Sequence, residues 1–147
     1  MIWRPNVTVA VVAERDGKFL MVEENVSGRL VLNQPAGHLD EGEGLQHAAT
    51  REALEETAWH VVPESLVGIY RWQMPESATT YLRACFSARC VDFDRTRELD
   101  TGIERAIWLS YDELKGRAGQ MRSPMVMRCV DDYRAGHRFP LTLLCDL

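Results

Sequence analysis

The chain has 147 residues, 46% hydrophobic and 27% charged, which is enough to bury a core and fits one soluble domain spanning residues 1–147. No apolar run approaches the ~20 residues of a membrane helix, and a net charge of -5 without a basic block argues against a nucleic-acid duplex as partner. Cys85, Cys90, Cys129 and Cys145 lack the paired spacing of a zinc or redox motif, so buried reduced thiols are expected.

The opening MIWRPNVTV has no basic segment leading into a long apolar region, so a secretory signal is not expected and the cytoplasm is the expected compartment. Val7 to Ala13 is a β-branched apolar run, Asp16-Gly17 is a turn pair and Lys18 to Glu24 alternates. Together they predict a β-hairpin whose first strand is central. Asn25 to Arg29 carries turn residues, and Leu30 to Gln34 is a short extended piece ended by Pro35. From Leu45 to Thr57 there is no Gly or Pro and good helix formers dominate, which predicts a helix.

Beyond the helix, His60 to Val62 predicts a short strand stopped by Pro63, and Leu66 to Trp72 a second one before the turn at Pro75 to Ser77. Thr79 to Cys90 reads as a long strand paired to its predecessor. Asp92 to Gly102 is charged and without a period, a surface loop of the kind that often carries function. Glu104 to Leu109 returns to strand. Ser110 to Glu113 is a capping box that opens a short helix, and Ser123-Pro124 opens another that runs to about Arg134, where Gly136 stops it. Strands mixed in direction with helices on either side predict an α/β fold, an α/β/α sandwich around a mixed β-sheet, with the strand order left open.

Chemistry concentrates on the first helix. Glu52, Glu55 and Glu56 are spaced by three and four residues and share a sector about 100° wide. Like charges so close oppose one another unless a cation intervenes, although a Glu-rich helix face taken alone is most often solvated surface. The upstream spacing changes the reading: Gly37, five residues, Glu43, seven residues, Arg51-Glu52, two residues, Glu55-Glu56. This pattern resembles the box of the Nudix hydrolase superfamily. One position departs, Ala58, where the family usually has a Gly that relieves a left-handed helix cap.

The resemblance implies that Glu52, Glu55 and Glu56, with the backbone of Gly37, hold Mg²⁺ (Mn²⁺ being the alternative ion). It also implies that Arg51 orients the cluster by pairing with Glu43 or Glu55. Oxygen ligands and substrate phosphates suit such a hard ion. The resemblance continues to one branch of the family, the NudJ-type phosphatases. It rests on VTVA at Val7 to Ala10, GKFL at Gly17 to Leu20, NQPAGHL at Asn33 to Leu39, Arg122-Ser123-Pro124, and the ending Tyr133, Gly136, Pro140, Leu141. It implies removal of a terminal phosphate from nucleoside tri- and diphosphates, from the pyrimidine pyrophosphate of thiamine synthesis, and from thiamine pyrophosphate.

For the general base the candidates are Glu104, outside the box, and Glu55 or Glu56 within it. A flat ring is expected to stack on Trp3, Trp72 or Tyr81. Arg83 and Arg122 are candidates for phosphate oxygens, and Gln34 and His38 are further polar contacts. Trp108 is assigned to the core. The expected partner is a small phosphorylated substrate bound by a monomer or homodimer. The competing class is a non-catalytic Nudix-fold module that senses a nucleotide.

Overall fold

The computed structural model describes residues 1–147. Its centre is β1 (Asn6–Val12), whose alternate side chains enter two different cores. Val9 and Val11 face one way, Ala10 and Val12 the other, as period-two alternation requires of a strand covered on both faces. β1 lies between β5 (Ala36–His38), to which it is antiparallel, and β7 (Thr80–Phe93), to which it is parallel. β6 (Trp59–Gln73) pairs antiparallel with β7 at the edge, completing a mixed sheet of order β5-β1-β7-β6.

A second, antiparallel sheet is built on β3 (Lys18–Val26). It pairs with the two-residue β2 (Glu14–Arg15), with β4 (Arg29–Asn33) and with β8 (Ile103–Ser110). Helix α1 (Leu45–Thr57) lays Ala48, Ala49 and Ala53 against Val9, Val11 and Phe86, three small residues that let the helix approach closely. On the opposite side, Leu114 of α2 (Tyr111–Gly116) and Val126, Cys129 and Val130 of α3 (Pro124–Arg134) cover Ala10, Val12 and Cys85. The α/β/α sandwich is therefore present, its strands divided between two sheets. No helix is long and apolar enough to cross a membrane.

Two local expectations are corrected. The predicted hairpin between Val7–Ala13 and Lys18–Glu24 shrinks to Glu14–Arg15 folding onto Lys18 and Phe19 across Asp16 and Gly17, both at positive φ. β1 itself never pairs with β3, because both its edges are taken by β5 and β7. Pro63 does not end a strand either. β6 runs straight through it, since on an edge strand, beside a register shift, the missing N–H costs little.

Other expectations hold. Ser110 and Glu113 form both halves of the capping box, and Ser123 Oγ accepts from the Met125 N–H at the start of α3. α1 ends at Ala58 in spite of the missing Gly: φ is +63° and its N–H bonds Leu54 O at 2.9 Å.

Candidate active site

The loop from β5 into α1 and the helix itself carry the acidic residues. Gly37 lies directly under the Glu52 carboxylate, and a Cβ there would stand 2.1 Å from Glu52 Cδ. The glycine is thus a matter of space, since no other residue leaves room for that carboxylate.

Arg51 ties the acids together. Its guanidinium donates to Glu43 (2.6 and 3.0 Å), Glu52 (2.9 Å), Glu55 (3.2 Å) and the His38 carbonyl (3.0 Å). Arg51 pairs with both of the acids named for it, and with Glu52 besides. The Arg51 guanidinium, helped by the Asp40 N–H, holds the Glu43 carboxyl at about 2, and Arg51 is pushed up in turn.

Glu52 and Glu56 are shifted the other way. Burial raises Glu52, whose side chain is only 12% exposed, against the pull of Arg51. Burial pushes Glu56 up to about 9, with Glu24, Glu52 and Asp100 adding repulsion, although the Ala36 N–H donates to it at 2.9 Å. These acids are short of positive charge.

Oxygens of Glu52, Glu55 and Asp100 lie within 4.8 Å of one another. A set of carboxylate oxygens with no nitrogen or sulfur donor suits Mg²⁺ or Mn²⁺. Asp100 is the member that sequence reasoning missed. It sits in the loop expected to carry function, and its N–H bonds Glu55 O at 3.0 Å. Nothing in the spacing of that loop separates Asp100 from its acidic neighbours.

Glu52 and Glu56 line one end of a cavity of about 310 Å³. At the other end Trp72 and Tyr81, opposite each other on β6 and β7, stack with ring centroids 6.0 Å apart at 24°. Arg83 and Arg122 line the same space, and so does His38 beside the carboxylates. Arg122 reaches Glu24 at 3.8 Å. Gln34 is buried behind the wall and accepts a hydrogen bond from Arg83 at 3.0 Å, so it holds Arg83 rather than facing the cavity.

Two candidates are not brought to this cavity. Trp3 is 70% exposed at the amino terminus. Glu104 is exposed on β8, in a hollow beside Trp59 and Trp108. Trp108 is partly buried against the α1-side core, edge-on to Trp59 at 6.0 Å.

The NUDIX domain family matches residues 3–129, which include every box position and Asp100. The chain belongs to the Nudix family. Phosphatase NudJ of Escherichia coli (strain K12) is 37% identical over 145 residues, covering 99% of this chain and 94% of that protein, and Phosphatase NudJ of Shigella sonnei (strain Ss046) matches equally. Among solved structures, a NUDIX hydrolase from Nitrosomonas europaea is 51% identical, with a TM-score of 0.96 over 98% of each chain. A UDP-X diphosphatase structure, 18% identical with a TM-score of 0.74 over 95% of this chain and 67% of that one, shares the fold. This Nudix protein is a hydrolase acting on phosphorus-containing anhydrides.

Proposed function

We propose that the protein is a Mg²⁺-dependent phosphohydrolase. Its substrates would be the phosphoanhydrides of nucleoside tri- and diphosphates and of hydroxymethylpyrimidine or thiamine pyrophosphate, with orthophosphate released. The observation that carries this reading is the meeting of Glu52, Glu55 and Asp100 beside a cavity with an aromatic pair and a buried arginine at its far end. The name of the NudJ relatives agrees with a phosphatase outcome.

Glu52, Glu55 and Asp100 hold the ion, with Glu56 and the close-lying Gly37 backbone beside them. A divalent ion there supplies charge that neutralises the diphosphate and acidifies a water molecule. Arg51 acts through the acids it pins: its bonds to Glu43, Glu52 and Glu55 keep the carboxylates from rotating into solvent. Glu56 is the preferred proton acceptor. It is buried, it lines the cavity and it is oriented by the Ala36 N–H. Positive charge beside it favours its ionised form, which can then take a proton from the attacking water. Glu104 keeps the lesser claim because of its place outside the cavity.

We read residues 1–147 as one such domain in the cytoplasm. The carboxyl-terminal segment supports the single unit, since Phe139 and Leu66 exchange backbone hydrogen bonds at 2.8 Å and Leu141 and Leu144 pack on the α1-side core. The testing experiment is a substrate panel with Mg²⁺ in ¹⁸O-labelled water, scoring orthophosphate against pyrophosphate and locating the label. Orthophosphate from nucleotides or the thiamine-related pyrophosphates is expected; the absence of turnover on all of them would overturn the substrate assignment.

A further inference from the structure

Three buried side-chain atoms of the molecule have no hydrogen-bond partner: Thr8 Oγ1, Asn33 Oδ1 and Arg83 Nε. All three residues are at least 94% buried, and all three line the cavity described above. Buried polar groups are normally satisfied, because leaving one unpaired forfeits its hydration without return. Three orphans converging on one space mark groups left free for a ligand.

Their surroundings fix what each can do. Gln34 donates from Nε2 to Val11 O at 3.1 Å and to Cys85 Sγ at 3.5 Å, which turns its Oε1 toward Arg83 Nη1 at 3.0 Å. The guanidinium is thereby held by one nitrogen. Its Nε side stays open, and no carboxylate lies within ion-pair distance of it. Asn33 donates from Nδ2 to Glu24 at 3.5 Å, so Oδ1 is an acceptor waiting for a donor. The Thr8 hydroxyl can play either part.

A phosphate group does not suit this set. An ionised phosphate offers acceptors only and gives nothing to Asn33 Oδ1, while Glu24, which accepts from Asn33, lines the same cavity and repels anions. An edge carrying an acceptor next to an N–H fits all of them. The stacked Trp72–Tyr81 pair adds a flat wall.

We infer that the part of the cavity where Thr8, Asn33 and Arg83 converge is a subsite for a nitrogen heteroaromatic group, whose ring-edge acceptor bonds Arg83 Nε and whose N–H or amino group bonds Asn33 Oδ1. Arg83 thus reads the ring, which differs from the phosphate-binding part expected from its charge alone. The subsite relies on the hydrolase reading only for where the phosphates lie.

The test is equilibrium binding of CMP, UMP and ribose 5-phosphate to the full chain in the presence of Mg²⁺. None of these probes has a phosphoanhydride, so the measurement stands even if the protein hydrolyses nothing, and a failure of the activity panel is distinguishable from a failure here. At least one nucleotide is expected to bind roughly tenfold or more tightly than ribose 5-phosphate. Asn33→Leu and Arg83→Gln should each shrink that ratio by about tenfold while changing ribose 5-phosphate binding less than about twofold.

Thr8→Val guards against misfolding as the cause. It removes a hydroxyl that bonds nothing in the protein, so thermal stability should hold or rise while the ratio falls. A wild-type ratio near one would overturn the inference. So would an Arg83→Gln variant that weakens nucleotide and sugar phosphate equally, since Arg83 would then belong to the phosphate.

Discussion

Replacing Gly37 by Ala tests whether the position of the Glu52 carboxylate sets the activity. The new methyl would stand 2.1, 2.2 and 2.4 Å from Cδ, Oε1 and Oε2 of Glu52, where ordinary contact begins at 3.4 Å, so the carboxylate must retreat by about 1.3 Å. Apart from the Arg51 bond to that carboxylate, nothing else need move. Gly37 is absent from the residues at positive φ, its strand partner Val9 is unaffected, and Glu52 can rotate at a cost of roughly 1 kcal/mol. An alanine in β5 regains about 0.5–1 kcal/mol of backbone entropy, so the melting temperature should stay within about 5 °C of wild type. Activity should not survive so well. Misplacing a group by about 1 Å costs on the order of 100-fold in rate, and the displaced acid leaves the set it forms with Glu55 and Asp100. The assay is kcat/KM against Mg²⁺ concentration together with a melting curve. A well-folded Gly37→Ala protein with wild-type kcat/KM would refute the reasoning, because Glu52 would then not need to be where the glycine puts it.

Metal binding should depend on pH through Glu56, whose metal-free carboxyl is raised by burial to about 9. At pH 7 to 8 loading should release a proton and apparent affinity should climb with pH, both measurable by calorimetry in buffers of different ionisation enthalpy. The same shift makes Glu56 lower the stability of the metal-free protein as pH rises from about 4.5 toward 9, because the folded state binds more protons than the unfolded one over that window. Glu43 acts in the opposite sense. Arg51 holds it at about 2, so its contribution is full above about 4.5 and fades as pH falls through 2, and Glu43→Gln should lower stability by about 2 kcal/mol near pH 7 with a smaller difference in acid, read from denaturant melts. Asp100→Asn should lower Mg²⁺ affinity by at least about tenfold. Glu104→Gln should leave turnover within about twofold by steady-state kinetics, and a large loss there would return Glu104 to the mechanism.

Much of the site was legible because the box residues act through fixed spacing on one helix. The helical period put Glu52, Glu55 and Glu56 on one face, and the resemblance to the Nudix box supplied the parts expected of them and of Arg51. The capping box at Ser110 and the Ser123-Pro124 start were equally local. What escaped the sequence depends on chain segments far apart. Asp100 joins Glu55 through a backbone hydrogen bond across 45 positions, and no periodicity in a charged loop singles it out. Glu104 was one candidate base beside Glu55 and Glu56, yet its place depends on the register shift in the pairing of β3 with β8, which only the folded sheet reveals.

The strand errors have the same origin. Val7 to Ala13 and Lys18 to Glu24 look like hairpin partners because they are adjacent and joined by Asp16-Gly17. β1 lies between β5 and β7 because residues that are apolar on both faces must be covered on both, and the interior of the mixed sheet does that. That placement also sets the chemistry. By carrying β1 into the middle of the sheet, the fold puts Thr8 beside both His38 of β5 and Arg83 of β7. One strand row therefore sets His38, Thr8 and Arg83 side by side, about 10 Å across two strand spacings. The hydrophobic pattern that defeats the hairpin is thus what sets the distance between His38, beside the acidic cluster, and Arg83.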